Sequence, residues 1–145
     1  MKNIDGALNM KDIFAPEGAM GLAFGSFERR QQQIEMAEAV QEALAGKRHL
    51  VVEAGTGVGK SLAYLVPAIE QACISKSRVV VSTFTISLQE QLINKDIPCL
   101  GESLPWQFKA VLARAEAITF ANAGWNLRYA GRWGFLTSSA TRLRK

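Results

Sequence analysis

The sequence predicts an α/β fold in which parallel strands pack against helices on their faces. Three segments carry apolar residues at helical spacing, and three short runs rich in β-branched residues alternate with them. A glycine-rich loop joins the first of these runs to the helix that follows it. Strands and helices that alternate in this way are typical of a parallel sheet covered by helices.

The composition is that of a globular protein. The chain has 145 residues, of which 48% are hydrophobic and 21% charged, and this balance excludes disorder throughout. No stretch approaches the roughly 20 apolar residues of a membrane span, and residues 1–10 have no apolar run of signal-peptide length. Cys73 and Cys99 form neither a disulfide framework nor a metal-site spacing. We therefore expect a cytoplasmic protein with no membrane partner, and the sequence identifies no protein partner.

The first part of the chain predicts one long helix and one strand. Residues 1–25 are rich in glycine, and we expect a lead-in segment with one short helix. Gln31–Ala45 is predicted to be a helix, because its apolar residues follow the helical period and Gly46 provides a stop. His49–Glu53 is predicted to be a buried strand, since it is β-branched and bounded by glycines.

The next part predicts further helices and strands in alternation. In chain order these are a helix, a strand, a helix and a strand, over Lys60–Ile74, Arg78–Thr83, Thr85–Asn94 and Phe108–Leu112. Pro67 lies inside the first of them, where it allows a kink, and Pro98 marks a loop.

The charge distribution changes abruptly near residue 113. Residues 1–113 carry 11 Lys+Arg and 12 Asp+Glu, whereas residues 114–145 carry 6 and 1. The second part has no sustained period of 2 or 3.6, so we expect a poorly ordered basic tail. The predicted organisation is a lead-in over 1–25, a central α/β part over 26–113 and the tail over 114–145.

The glycine-rich loop has the pattern of a phosphate-binding loop. Its residues are Ala54, Gly55, Thr56, Gly57, Val58, Gly59, Lys60 and Ser61. The glycines let successive backbone N–H groups point at one phosphate, and the following helix adds its positive end. Lys60 is the candidate catalytic residue, because it can reach the β- and γ-phosphates, and the Ser61 hydroxyl can bind Mg²⁺. We therefore expect ATP and Mg²⁺ at a partial P-loop NTPase domain of the RecA-like class; the alternative is a glycine-rich turn that matches by chance.

Two other segments carry polar groups suited to ligands. Gln31, Gln32 and Gln33 open a helix, and a glutamine amide can pair with adenine, but a solvated helix start explains the same residues. Ser82, Thr83, Phe84 and Thr85 follow the second strand, where hydroxyl and N–H groups suit a nucleic-acid backbone. Capping of the next helix by Thr83 or Thr85 is the alternative.

These motifs, in this order, resemble the DinG-type group of XPD-like superfamily 2 DNA helicases. The similar segments are 12–20 (the lead-in), 27–37 (the glutamine motif, aligned best with Gln33), 53–61 (motif I), 79–92 (motif Ia) and 108–112. The resemblance covers roughly residues 12–113. It implies a motor domain that couples ATP hydrolysis to translocation on single-stranded DNA and to unwinding, with Gln33 reading adenine, residues 82–85 contacting DNA, and an iron–sulfur cluster in the intact family.

The chain departs from the family pattern after residue 113. No cysteine follows Cys99, so the iron–sulfur ligands are absent, and there is no Asp-Glu-x-His motif to hold Mg²⁺ and activate water. The second motor domain is missing as well. We therefore expect that this chain binds nucleotide weakly and does not hydrolyse it.

A shifted reading frame explains this departure. If the third base of each codon from Glu116 is joined to the first two bases of the next codon, residues 116–126 permit (Ser/Gly)-Asn-Tyr-Leu-Cys-x-Arg-Arg-Leu-Glu. That text is the one expected in the family, where its cysteine is the first of four iron–sulfur ligands, and it predicts a frameshift near residue 113.

Three alternatives remain open at this stage. One is a non-functional fragment that does not fold stably, because three strands with an open sheet edge make a poor core on their own. The chain could be a stand-alone P-loop ATP-binding protein, for which Glu53, Glu70, Glu90 and Asp96 are candidate Mg²⁺ ligands. It could also be a basic-tailed nucleic-acid-binding module without catalysis.

Overall fold

The computed structural model describes residues 8–24, 27–113 and 133–137, and it has a mixed α/β architecture. Its helices are α1 (Met10–Ile13), α2 (Ala19–Phe24), α3 (Gln31–Ala45), α4 (Lys60–Ile74), α5 (Ile86–Gln91), a π-helix (Leu92–Asp96) and α6 (Ile97–Ser103). Its strands are β1 (Arg78–Ser82), β2 (Lys109–Ala113) and β3 (Trp133–Thr137). None of the helices found in these ranges is long and apolar enough to cross a membrane.

The helices α3 and α4 form the centre of the molecule, and both have the bounds that the sequence predicts. Their facing side chains are fully buried, among them Ile34 and Ala37 of α3 and Leu65 and Ile69 of α4. Each large apolar side chain buried in this way contributes about 1.5–3 kcal/mol. This pair positions the loop between the two helices, which contains the predicted phosphate-binding residues.

The lead-in packs into the same core instead of forming a separate unit. It contains two short helices, α1 and α2, where the sequence predicts one. Met10, Phe14 and Met20 are fully buried and belong to the same hydrophobic cluster as the buried residues of α3 and α4. The described residues of the lead-in thus contribute side chains to the hydrophobic core.

A buried carboxylate ties the lead-in to both central helices. Glu70 of α4 is 4% exposed and accepts hydrogen bonds from the backbone N–H of Leu8 at 2.5 Å and from Nε2 of Gln41 at 2.6 Å. The Gln41 amide also donates to the carbonyl of Leu8 at 3.0 Å. Three segments distant in sequence thus meet at one acidic side chain.

The sheet differs from the predicted one. Its strand order is β1-β3-β2, and β3 pairs antiparallel with both neighbours. β1 and β2 therefore run in the same direction, but each is bonded to β3 and the two are separated by it. The expected parallel pairing is not found, because β3 occupies the position between the two strands. β3 also lies in the segment for which we expected no regular structure; residues 114–132 and 138–145 of that tail lie outside the described residues.

The prediction of a strand at His49–Glu53 is wrong. These residues form no ladder, and Val51 is 97% exposed. β-Branched residues favour a strand only where a neighbouring strand accepts their backbone hydrogen bonds, and this segment pairs with none of the three strands described above.

The region after β1 is more helical than the sequence indicates. The helix predicted over Thr85–Asn94 begins one residue later and continues through the π-helix into α6. Pro98, predicted to mark a loop, lies in the first turn of α6. Proline has no N–H to donate to the preceding turn, and it lies where the helix changes from the π-helix to α6.

Candidate nucleotide-binding site

The predicted phosphate-binding loop turns sharply just before α4. Gly57 and Gly59 have φ values of +81° and +82°, and Gly59 caps the N-terminus of the helix. Residues with a Cβ are strained in this left-handed region, whereas glycine is not. Glycine at positions 57 and 59 is therefore favoured by the backbone path that brings the loop to the start of α4.

Lys60 folds back over the loop. Its Nζ donates to the carbonyl of Ala54 at 2.9 Å and to that of Gly55 at 2.6 Å. Hydrogen bonds from an ammonium group are about twice as strong as neutral ones. The cation is thus held beside the loop, and an incoming phosphate would have to replace these two carbonyl oxygens.

The side chain of Gln33 is hydrogen-bonded to the backbone of the loop. It is 2% exposed, and its Nε2 donates to the carbonyl of Gly59 at 2.9 Å. A Cβ built on Gly59 would lie 2.2 Å from the same nitrogen, so a side chain at this position would displace the Gln33 amide. The buried amide therefore holds the residue that immediately precedes Lys60, and this contact neither confirms nor contradicts adenine reading by Gln33.

The three glutamines have different surroundings. Gln31 is exposed and donates to Glu35 at 3.1 Å, as expected for a solvated helix start. Gln32 lines a cleft of about 560 Å³ between α3 and the loop, opposite Glu53, Gly55 and Thr56. This volume is within the range of small-molecule sites, so the cleft has room for part of a nucleotide.

Arg30 is a residue near the loop that the sequence analysis did not single out. A Cβ built on Gly57 would lie 3.9 Å from its Nη1, while its Nη2 donates to Glu28 at 3.0 Å. An exposed ion pair of this kind contributes little stability, so the guanidinium can exchange Glu28 for another anion. The available signal was the pair of arginines directly before the glutamine run.

Ser61 lies in the first turn of α4, close to Tyr64. Burial raises the pKa of Tyr64 above its usual value, the neighbouring Ser61 hydroxyl opposes this, and the nearby carboxylate of Asp96 adds to it. A serine hydroxyl beside a loop lysine fits Mg²⁺ bound to phosphate oxygens, because Mg²⁺ retains most of its waters and needs few protein ligands. Residues 54–61 therefore fit a nucleotide with its metal ion.

The described parts of the chain hold no group of three or more His, Cys, Asp or Glu side chains that could bind a metal without phosphate. Of the four carboxylates considered for a stand-alone enzyme, Glu53 lines the cleft. Glu70 is engaged by the lead-in, and Asp96 is buried and accepts from Gln91 at 3.2 Å. Burial raises the pKa of Asp96, opposed by the Gln91 hydrogen bond and by Lys95.

The second predicted site, residues 82–85, lies at the C-terminal end of β1. Thr85 caps α5 by accepting from the N–H of Leu88 at 3.3 Å, so Thr85 rather than Thr83 is the capping residue. The hydroxyl of Thr83 donates to the carbonyl of Thr85 at 3.4 Å. Phe84 is fully exposed between them. Capping thus explains Thr85 and leaves Phe84 without a structural role.

Comparison with known proteins assigns the family. Residues 32–113 match the DEAD/DEAH box helicase family. The chain is 58% identical over 82 residues to "ATP-dependent helicase DinG" of Mycobacterium tuberculosis (57% of this chain, 12% of the relative) and 39% identical over 108 residues to "ATP-dependent DNA helicase YoaA" of Escherichia coli (74% and 16%). It is 33% identical over 101 residues to "3'-5' exonuclease DinG" of Bacillus subtilis (70% and 11%).

No solved structure matches the chain. The chain spans less than a fifth of the length of the curated relatives that it matches. The family match nevertheless covers more than half of the chain, including the phosphate-binding loop, β1 and β2. This chain therefore belongs to the DEAD/DEAH box helicase family.

Proposed function

We propose that this chain is the ATP-binding N-terminal portion of a cytoplasmic ATP-dependent DNA helicase that moves along single-stranded DNA. The observation that supports this most directly is the loop of residues 54–61. Two of its glycines have a left-handed φ, and Lys60, the first residue of α4, folds back over the loop. The match to the helicase family covers residues 32–113, which include this loop, and the relatives named as ATP-dependent helicases match 57% and 74% of the chain.

Binding of ATP begins with an exchange at Lys60. The β- and γ-phosphates replace the carbonyls of Ala54 and Gly55 as partners of Nζ, while the loop N–H groups surround them. Ser61 would hold Mg²⁺, which neutralises charge on the phosphates. Gln33 keeps Gly59 in place during this exchange, because its bond to the Gly59 carbonyl does not involve Lys60.

The amide of Gln33 has hydrogen-bonding groups that the Gly59 contact does not use and that could bind adenine. An amide group has two N–H donors and an accepting oxygen, and the bond to Gly59 uses one donor. In our proposal the remaining groups of Gln33 read adenine, and Gln32 lines the cleft beside it.

The test is binding of a fluorescent ATP analogue in the presence of Mg²⁺. The change is Lys60→Ala, and the matched control is Lys109→Ala, which removes the same charge from an exposed position of β2. We expect about 10- to 100-fold weaker binding for Lys60→Ala, because charged hydrogen bonds of about 1.5–3 kcal/mol are lost, and an unchanged affinity for the control. Equal affinities for Lys60→Ala and the wild type would contradict the proposal.

Hydrolysis is a separate expectation. The sequence has no Asp-Glu-x-His motif, so we propose that this chain alone binds nucleotide without turnover and that unwinding requires the rest of a helicase. Release of phosphate that is stimulated by DNA and abolished by Lys60→Ala would refute this.

The frameshift hypothesis is supported by where the match ends. The family match stops at residue 113, where the basic segment begins. Resequencing the gene from codon 105 is the test: we expect the shifted frame to continue with the cluster cysteines and an Asp-Glu-x-His motif. If the present frame alone is open, the hypothesis is wrong.

A further inference from the structure

Glu70 is a buried carboxylate that the proposed binding of ATP does not use. It lies on α4, beyond the phosphate-binding loop at the start of that helix, and it is 4% exposed. Its two oxygens have different partners, the backbone N–H of Leu8 and the side-chain amide of Gln41 on α3. Burying a carboxylate is unfavourable unless hydrogen bonds compensate for the lost water. An apolar side chain would be buried there without this cost, so the hydrogen bonds of Glu70 are the feature that calls for a role.

Polar contacts join α3 to the α4 segment at two levels in the described part of the chain. At the first level, Nε2 of Gln33 donates to the carbonyl of Gly59, the N-cap of α4, at 2.9 Å. At the second level, about 12 Å further along α3 at a rise of about 1.5 Å per residue, Nε2 of Gln41 donates to Glu70 at 2.6 Å. The order of these contacts shows that the two helices run side by side in the same direction.

The side chains between these two levels are apolar. Ile34 and Ala37 of α3 and Val66 of α4 are fully buried in one hydrophobic cluster. Apolar contacts are not directional, and packed helices can slide past each other by small amounts. A hydrogen bond instead needs a defined distance and angle. The bond between Gln41 and Glu70 therefore limits the sliding of α3 along α4.

We propose that Glu70 is a positioning residue for nucleotide binding, which fixes α3 on α4 and thereby holds the amide of Gln33 against Gly59. This inference rests on the proposed function, since it assumes that the phosphate-binding loop binds ATP. Gly59 immediately precedes Lys60, so a displacement of α3 reaches the residue that meets the phosphates. The N–H of Leu8 occupies the other oxygen of Glu70, and the lead-in thereby becomes part of the support of the nucleotide site.

The experiment measures the affinity of the full chain for a fluorescent ATP analogue with Mg²⁺, at a temperature where circular dichroism shows each variant to be folded. Glu70→Ala removes both hydrogen bonds of the carboxylate. Glu70→Gln retains an oxygen that can accept from the N–H of Leu8 and gains a nitrogen that can donate to the amide oxygen of Gln41 once that amide has turned over. The conservative variant can therefore keep the contact between the two helices.

Two control variants separate positioning from loss of stability. Gln71→Ala removes the neighbouring polar side chain of α4, which is bonded to Ser75. Leu100→Ala removes a fully buried side chain of α6, which destabilises the fold without removing a hydrogen bond of Glu70. A variant that only lowers stability leaves the affinity of its folded molecules unchanged, so both controls should bind the ATP analogue as the wild type does.

We expect Glu70→Ala to weaken binding of the ATP analogue by about 2- to 30-fold, the range for coupled residues that contact no ligand, and Glu70→Gln to change it by less than about twofold. If Glu70 acts through Gln33, the two substitutions share one effect. Glu70→Ala should then change the affinity by less than about twofold in a chain that already carries Gln33→Ala. Gln41→Ala removes the bond between the helices but leaves the N–H of Leu8 its acceptor, and it should weaken binding within the same range even if Glu70→Ala does not fold.

Other results would refute the inference, each in a different way. Equal affinities of the wild type and Glu70→Ala would exclude positioning by Glu70 and leave nucleotide binding in place. An effect of Glu70→Ala that is as large in the Gln33→Ala chain as in the wild type would exclude action through Gln33. A loss of affinity in Leu100→Ala equal to that in Glu70→Ala would assign the effect to stability. If the wild type bound no ATP analogue, the proposed function would fail and this inference with it.

Discussion

The glycines of the phosphate-binding loop provide a graded test of the geometry. A Cβ on Gly55 meets nothing within 4 Å, and Gly55 has no positive φ. Gly57 has a left-handed φ but open space, with the nearest atom 3.9 Å away. Gly59 has both a left-handed φ and a contact at 2.2 Å with Nε2 of Gln33. Substitution by alanine at these positions therefore adds one physical cost at a time.

The expected costs follow from these three environments. Gly55→Ala should be neutral or stabilising by up to about 1 kcal/mol, since it restricts the unfolded chain. Gly57→Ala should cost about 1–2 kcal/mol for the left-handed conformation. Gly59→Ala should cost about 2–4 kcal/mol, because the flexible Gln33 side chain must also move away and leave its buried amide without its partner.

The assay is urea unfolding followed by circular dichroism, with the free energy of unfolding taken from midpoints at constant m-value. A double-mutant cycle with Gln33→Ala isolates the contact, and we expect the two changes together to cost less than their sum. If Gly59→Ala is no more destabilising than Gly57→Ala, or if the cycle is additive, Gln33 does not hold the loop as described.

Two further predictions concern buried carboxylates. Glu70→Ala should lower the free energy of unfolding by about 2–4 kcal/mol, because the N–H of Leu8 and the amide of Gln41 lose their acceptor. Glu70→Gln should lower the free energy of unfolding by less than this. A loss under about 0.5 kcal/mol for Glu70→Ala would contradict the described network. Asp96→Asn should raise stability at pH 7, because burial raises the native pKa of this carboxyl above 3.8 and its charged form is penalised in the folded state. The folded chain takes up this proton at higher pH than the unfolded chain does. The gain in stability from Asp96→Asn should therefore shrink as the pH falls through the native pKa towards 3.8. The measurement is a set of melting curves of both proteins between pH 4 and 8, and a difference in stability that does not change with pH would contradict this account.

The sequence was sufficient to predict those elements whose apolar periodicity and end signals agree. The bounds of α3 and α4 were predicted correctly, because each helix has an unbroken apolar period and glycine or a short polar stretch at its end. The turn before α4 could be placed for the same reason, since Gly57 and Gly59 have the left-handed φ that favours glycine.

The features that the sequence did not predict depend on contacts between residues distant in the chain. The run at His49–Glu53 has strand-forming residues, but pairing depends on a neighbour that no local pattern reveals. The different surroundings of the three adjacent glutamines could not be predicted from the helix alone. The partner of Gln33 is Gly59, which lies in the loop before the next helix. Pro98 was assigned to a loop because its tolerance in a first helical turn depends on where the preceding π-helix ends.

The position of β3 has a consequence for the order of folding. The α3–α4 pair can form as soon as residues 31–74 have left the ribosome, since its contacts join neighbouring helices. Every hydrogen bond of the sheet instead involves β3, whose register joins Ser82 to Trp133 and Arg78 to Thr137. Contacts so distant in sequence form slowly because a long loop must be closed first. The sheet therefore waits for residue 137 during synthesis, and a change of reading frame anywhere between 114 and 137 alters the strand on which the whole sheet depends.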